Sequence, residues 1–148
     1  MAHRHIALSA EVRRFLYDEE SFWTVTKSVG YGHQNLDSDV RLVQYFLNVY
    51  SRDNSLVVDG KFGGKTWNAI KRFQTRERGI VDGMISPASG DRLKGSISGR
   101  IYTMLTMNAY YRTLMPQYYR DLTKDPDLHS ALRRHFSVPE YVFDNGVC

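Results

Sequence analysis

The sequence predicts an all-α protein. Apolar residues recur at helical spacing in several separate stretches. In addition, Val58-Asp59-Gly60-Lys61-Phe62-Gly63-Gly64 and Val81-Asp82-Gly83-Met84-Ile85-Ser86-Pro87 share one pattern: Val-Asp-Gly, any residue, a large apolar residue, then turn formers. The two copies frame residues 66–74, where Ala69, Ile70 and Phe73 face one way and Lys71 and Arg72 the other, as in an amphipathic helix.

Ser9 is an N-cap for a first helix, with Glu11 in its first turn and Val12, Phe15 and Leu16 as its apolar stripe. Phe22 and Trp23 continue it into a turn or strand, and residues 29–34 read as a flexible linker. Asp37, Ser38 and Asp39 are N-cap candidates for a helix to about Tyr50, with Val40, Val43, Leu47 and Tyr50 at helical spacing. In each Asp-Gly turn, glycine accepts positive φ and aspartate bonds the amides just ahead of it. Phe62 and Ile85 then anchor the turns, and Pro87 after Ser86 suits the first turn of a short third helix. A long helix is expected over 97–119, with Ile97, Ile101, Met104, Leu105, Asn108, Tyr111 and Met115 on one face and Pro116 as a kink or a new start. Asp125-Pro126 opens a last helix through Leu128, Leu132 and Phe136, ended by Pro139.

Residues 37–93 resemble a peptidoglycan-binding-like domain, a small three-helix module attached to many cell-wall hydrolases. The resemblance rests on Asp39-Val40, Val43-Gln44, Leu47-Asn48, Val58-Asp59-Gly60, Phe62-Gly63, Thr66, Ala69-Ile70, Phe73-Gln74 and Val81-Asp82-Gly83. The chain departs from the family pattern at Ser86 and in Pro87-Ala88-Ser89-Gly90, where Gly-Pro-x-Thr is usual. This implies three regions: an N-terminal helical extension and linker (1–36), the module (37–94) and a C-terminal helical extension (95–148). The implied ligand is peptidoglycan, met in a shallow groove between the first module helix and the turns. Candidate contacts are Gln44, Tyr45, Asn48, Asp59, Phe62, Trp67 and Asp82. For Asp59 and Asp82 the alternative is capping of their own turns. Trp67 either stacks on a sugar or packs on a neighbouring helix, and Tyr31, Tyr45 and Tyr50 are comparable.

The C-terminal region loosely resembles that of certain phage lysozyme-type proteins, through Tyr110-Tyr111-Arg112 and Tyr118-Tyr119-Arg120. Together with Tyr102 these tyrosines are candidate protein-interface residues; the alternative is that the helix completes the monomer core.

With 148 residues, 42% of them hydrophobic, the chain can bury a sizeable core. A net charge of +4 suits an anionic polymer, but there is no Lys/Arg run and no nucleic-acid motif, so no nucleic-acid partner is expected. Cys148, the single cysteine, excludes an internal disulfide and reads as an inert terminal residue, with a free thiol or an intermolecular link as alternatives. No apolar run is long enough to insert in a membrane, and the segment Met1-Ala2-His3-Arg4-His5 lacks an apolar signal core. Contact with the wall would follow signal-independent release, by lysis or on a phage particle or secretion apparatus.

Glu11, Asp18, Glu19 and Glu20 are the acid/base candidates, read more simply as a solvated face of one short helix. His3, His5, His33, His129 and His135 show no metal-ligand spacing, and no Gly-x-Ser-x-Gly elbow occurs, so neither enzyme chemistry nor a cofactor is expected. The expected function is non-catalytic binding of peptidoglycan that targets a phage, a phage-derived machine or a partner hydrolase to the wall. The alternative is a structural part of a phage tail, baseplate or contractile injection assembly that reuses the fold for protein packing.

Overall fold

The structure is a computed structural model and describes residues 1–96 and 98–137. The expectations for Ile97, Pro139 and Cys148 lie outside the described residues. In chain order the elements are β1 (His3–Ile6), α1 (Ala10–Phe15), β2 (Ser21–Thr24), α2 (Asp37–Ser51), α3 (Gly64–Arg76), α4 (Thr103–Leu114), 3-10 turns at Pro116–Tyr118 and Leu122–Lys124, and α5 (Ser130–Phe136). The architecture is mostly helical, as the periodicity predicts. One hydrophobic core is shared by the extensions and the central helices: Phe22, Val40, Val43, Ile70, Ile85, Met104, Leu105 and Leu132 are fully enclosed in it.

The N-terminal extension differs from the helical expectation. Only six residues form α1, opened by the Ser9 hydroxyl accepting from the Val12 amide (3.1 Å). On either side β1 and β2 pair antiparallel, with Arg4 opposite Trp23. A lone two-stranded hairpin is marginal in water. Here Asn108 of α4 takes the place of a third strand: its Oδ1 accepts the Trp23 amide and its Nδ2 donates to the Trp23 carbonyl, both at 2.7 Å. The Trp23 indole donates to the Tyr119 carbonyl (2.8 Å), fixing the hairpin to the C-terminal extension as well.

Asp37, Ser38 and Asp39 do not cap α2, whose N-cap is Leu36 with no side-chain bond. Asp37 pairs with Arg41 one turn on, Ser38 accepts the Ala2 amide, and the buried Asp39 accepts the amides of Thr26 and Lys27. Ser38 and Asp39 thereby hold the N-terminal extension to the helix.

No helix follows the second Asp-Gly turn directly. Residues 86–96 and 98–102 are irregular and form an excursion, with Lys94 bridged to Ile101 and the Gly95 amide meeting the Arg100 carbonyl (2.9 Å). The excursion lies against the N-terminal extension: the Gly90 carbonyl accepts the amides of Leu8 and Ser9, and the Ala88 amide reaches the Thr24 hydroxyl. The expected long helix is therefore shorter, starting at Thr103 and ending at Leu114, before Pro116 begins a 3-10 turn. The last helix starts at Ser130, where the His129 ring accepts the Ala131 amide; Asp125-Pro126 lies in the turn before it.

Candidate functional site

Each Asp-Gly turn is closed by a glutamine from the preceding helix. Gln44 of α2 accepts the Asp59 and Gly60 amides on its Oε1 (both 3.1 Å) and donates from Nε2 toward Asp59 Oδ1, the Lys61 carbonyl and the Thr66 hydroxyl. Gln74 of α3 repeats this set: its Oε1 accepts the Asp82 and Gly83 amides (3.2 and 2.9 Å), and Nε2 faces Asp82 Oδ1, the Met84 carbonyl and the Thr103 hydroxyl. Each aspartate also accepts the amide two residues ahead, from Lys61 and Met84. Both glutamines are buried, so the bonds are made in a medium where unpaired amides are costly.

The match extends to the next helix. Thr66 lies in the first turn of α3 and Thr103 is the first residue of α4, and each meets the glutamine that closes the turn before it. By this bonding, α4 occupies the position of the third helix of the repeat unit, and 86–102 is an excursion placed between turn and helix.

The two turns come together at one aromatic cluster. Tyr31 stands edge-on to Phe62 (centroids 4.9 Å apart, 84°) and tilted over Trp67 (5.4 Å, 60°). Phe62 belongs to the first turn and Trp67 to α3. Gly83 of the second turn lies so close to the indole that a Cβ there would overlap its nitrogen. The loop that carries Tyr31 is held rather than loose: Val29 and Ile85 exchange both backbone bonds (2.9 and 2.8 Å), and Asn35 pairs with the Gly30 amide and carbonyl. Tyr31 is 57% exposed, while Phe62 and Trp67 are half-buried. Lys71, one turn along α3, sets its ammonium 3.2 Å from the Trp67 ring centroid. Helix α3 carries Lys65, Lys71, Arg72 and Arg76 and no acid. The cluster thus offers an exposed aromatic face beside a cationic helix.

The other residues named from the sequence are engaged within the protein, whether buried or, like Asp82, exposed. The amides of Gln44 and Asn48 are committed to the protein itself, Asn48 pairing with the Leu56 amide and carbonyl. Asp59 and Asp82 bind their own turns; the Lys61 amide, together with Gln44, lowers the Asp59 carboxyl below its usual range. Tyr45 is buried, and its hydroxyl, like that of Tyr111 (2.6 Å), donates to the enclosed carboxylate of Asp125. Burial first, and then that carboxylate, push both phenols well above their ordinary pKa. Tyr111 and Tyr119 lie in the core, with Tyr102, Tyr110 and Tyr118 half-buried against it, so the α4 stripe completes the monomer. Among the acid/base candidates, Glu19 is neither helical nor solvated: it is buried and held by Arg112 (3.1 Å) and Arg120 (2.9 Å). Of the named contacts, Phe62 and Trp67 meet at the exposed cluster, joined by Tyr31. Lys71 joins the cluster by helix periodicity, lying four residues after Trp67 on the same face of α3.

Residues 37–93 match the model of the putative peptidoglycan binding domain family. That stretch spans α2, both Asp-Gly turns and α3 and stops short of Thr103. No curated protein and no solved structure matches the chain.

Proposed function

We propose that this chain, which carries a peptidoglycan-binding domain at residues 37–93, holds to the bacterial cell wall through the Tyr31–Phe62–Trp67 cluster, without catalysis. The carrying observation is the cluster itself: three aromatic rings from three segments, pinned by both Asp-Gly turns, with the most exposed ring outward. A pyranose presents an apolar face to such a ring, and hydroxyls at its edge remain solvated. The ammonium of Lys71 and the acid-free face of α3 favour acidic groups on the polymer.

Binding of this kind raises the local concentration of whatever the protein is attached to. The partner we favour is a hydrolase or a phage-derived machine that works at the wall, reached after signal-independent release. A purely structural role as a tail or baseplate part draws less support, because the α4 stripe that would serve it is spent on the monomer core.

Retention on insoluble peptidoglycan sacculi tests this reading, with salt varied and Tyr31→Ala and Trp67→Ala alongside. Specific recognition predicts that the native protein stays bound at about 0.5 M salt, where charge attraction between exposed groups is screened within a few ångströms. Both variants, folded by circular dichroism, should be retained less. A native protein that washes off at modest salt, or variants retained as well as it is, would contradict the proposal.

A further inference from the structure

A cleft of about 630 Å³ opens where α2 and α4 both end, and it shares no residue with the aromatic cluster. Its apolar lining comes from Val49, Leu114 and Met115, and its charged lining includes Arg52 and Asp127. Arg52 closes α2 in the left-handed conformation (φ 59°), its amide bonded to the carbonyls of Asn48 and Val49. Among the described residues its guanidinium has no hydrogen bond or ion pair. Asp127 donates its amide to Asp125 (2.9 Å), and its carboxylate accepts no hydrogen bond among the described residues. Opposite charges therefore line one cleft without neutralising each other. The last turn of α2 holds no basic residue, and Arg52, the C-cap that follows it, sets a positive charge between the negative helix end and Asp127.

A simple anion would meet Asp127, Asp53 and the helix ends unfavourably, and a purely apolar ligand would leave Arg52 and Asp127 without partners. We propose that the cleft binds a short peptide segment that carries both an ammonium and a carboxylate. Its ammonium lies toward Asp127 and the helix ends, its carboxylate on Arg52, and its aliphatic carbons on Val49, Leu114 and Met115. The inference rests on the wall-binding reading for the source of the peptide, which is the stem peptide of peptidoglycan. The wall would then be met at two places, its sugar at the aromatic cluster and its peptide here.

The test is a titration of the full chain, labelled with nitrogen-15, with a synthetic sugar-free stem tetrapeptide bearing a free ammonium and a terminal carboxylate. Saturable amide shifts are expected at Arg52, Asp53, Leu114 and Met115. Arg52→Gly and Asp127→Asn should each weaken binding about tenfold, the loss typical of a charge-assisted bond. Glycine accepts the left-handed backbone of residue 52, so that variant keeps the fold. Blocking both charges of the peptide should abolish the shifts. The proposal is overturned by shifts absent up to millimolar peptide, by shifts confined to Tyr31 and Trp67, or by variants that bind as the native protein does. Sacculus retention reads the other site: a protein that binds the tetrapeptide but not sacculi keeps the cleft and loses the wall reading, and the converse result removes only the cleft.

Discussion

The two Asp-Gly turns are closed by the same bonds yet lead to different places. From Gly60 the chain passes straight through Gly63 into α3, and Thr66 meets Gln44 within that first helical turn. From Gly83 it leaves past Ala88 and Gly90, which lie against the N-terminal extension, and returns at Thr103 to meet Gln74. The turns also face different neighbours: Gly60 abuts the side chains of Asp37 and Arg41, Gly83 the Trp67 indole. The glutamine bonds define the repeating unit, and the length of chain between turn and helix is free to vary. The second turn does two jobs, seating α4 and supporting the ring that we assign to wall contact.

The glutamines give the largest expected effect. Gln44→Ala or Gln74→Ala leaves two turn amides without an acceptor, a loss of roughly 2–6 kcal/mol at about 1–3 kcal/mol for each donor, read as a fall in urea midpoint. The two differ in reach: Gln74→Ala should speed amide hydrogen exchange in α4, whereas Gln44→Ala should not single that helix out. Equal exchange patterns would break the assignment of α4 to the second turn.

The glycines come next. Both have positive φ, +74° at Gly60 and +70° at Gly83, so alanine at either position costs about 1–2 kcal/mol of backbone strain. Gly83→Ala must also displace the Trp67 indole, and a folded Gly83→Ala protein should lose sacculus retention that Gly60→Ala keeps. Smaller still are Thr66→Val and Thr103→Val, each about 1 kcal/mol for one hydrogen bond and similar to one another if the two helix starts are equivalent.

The least effect is acid dependence at the first turn. The Lys61 amide, with Gln44, holds Asp59 below its ordinary range, so its stabilisation is complete above the unfolded pKa of about 3.9 and is lost as pH falls through the lower folded value. Thermal melts of Asp59→Asn against the native protein should therefore converge below that range and diverge above it.

The helices α2 and α3 were legible because their apolar spacing is regular and both Asp-Gly turns announce themselves. Ser9 likewise marked α1 correctly. The glutamines were visible as residues but not in their role, since their partners are backbone amides that no sequence pattern displays; Gln44 read instead as a ligand contact. The hairpin was missed because His3–Ile6 is short and polar, and because what closes the edge of β2 is Asn108, far away in the chain. The start of α4 falls later than the apolar spacing suggests, because Ile101 and Tyr102 continue that pattern while residues 98–102 are still irregular. Tyr31 stands out in the sequence as an aromatic comparable to Trp67, but its position over Phe62 and Trp67 depends on the Val29–Ile85 bridge, which joins the expected linker to the second turn.

The indole N–H signals give the most direct test of the central claim, that Tyr31, Phe62 and Trp67 form the wall-contacting surface. Trp23 is buried, with its indole bonded to the Tyr119 carbonyl, and serves as an internal control. In a titration with soluble glycan-strand fragments, the Trp67 indole resonance should move saturably while that of Trp23 stays in place. A Trp67 signal unmoved at saturating fragment, or both indoles moving together, would contradict the account.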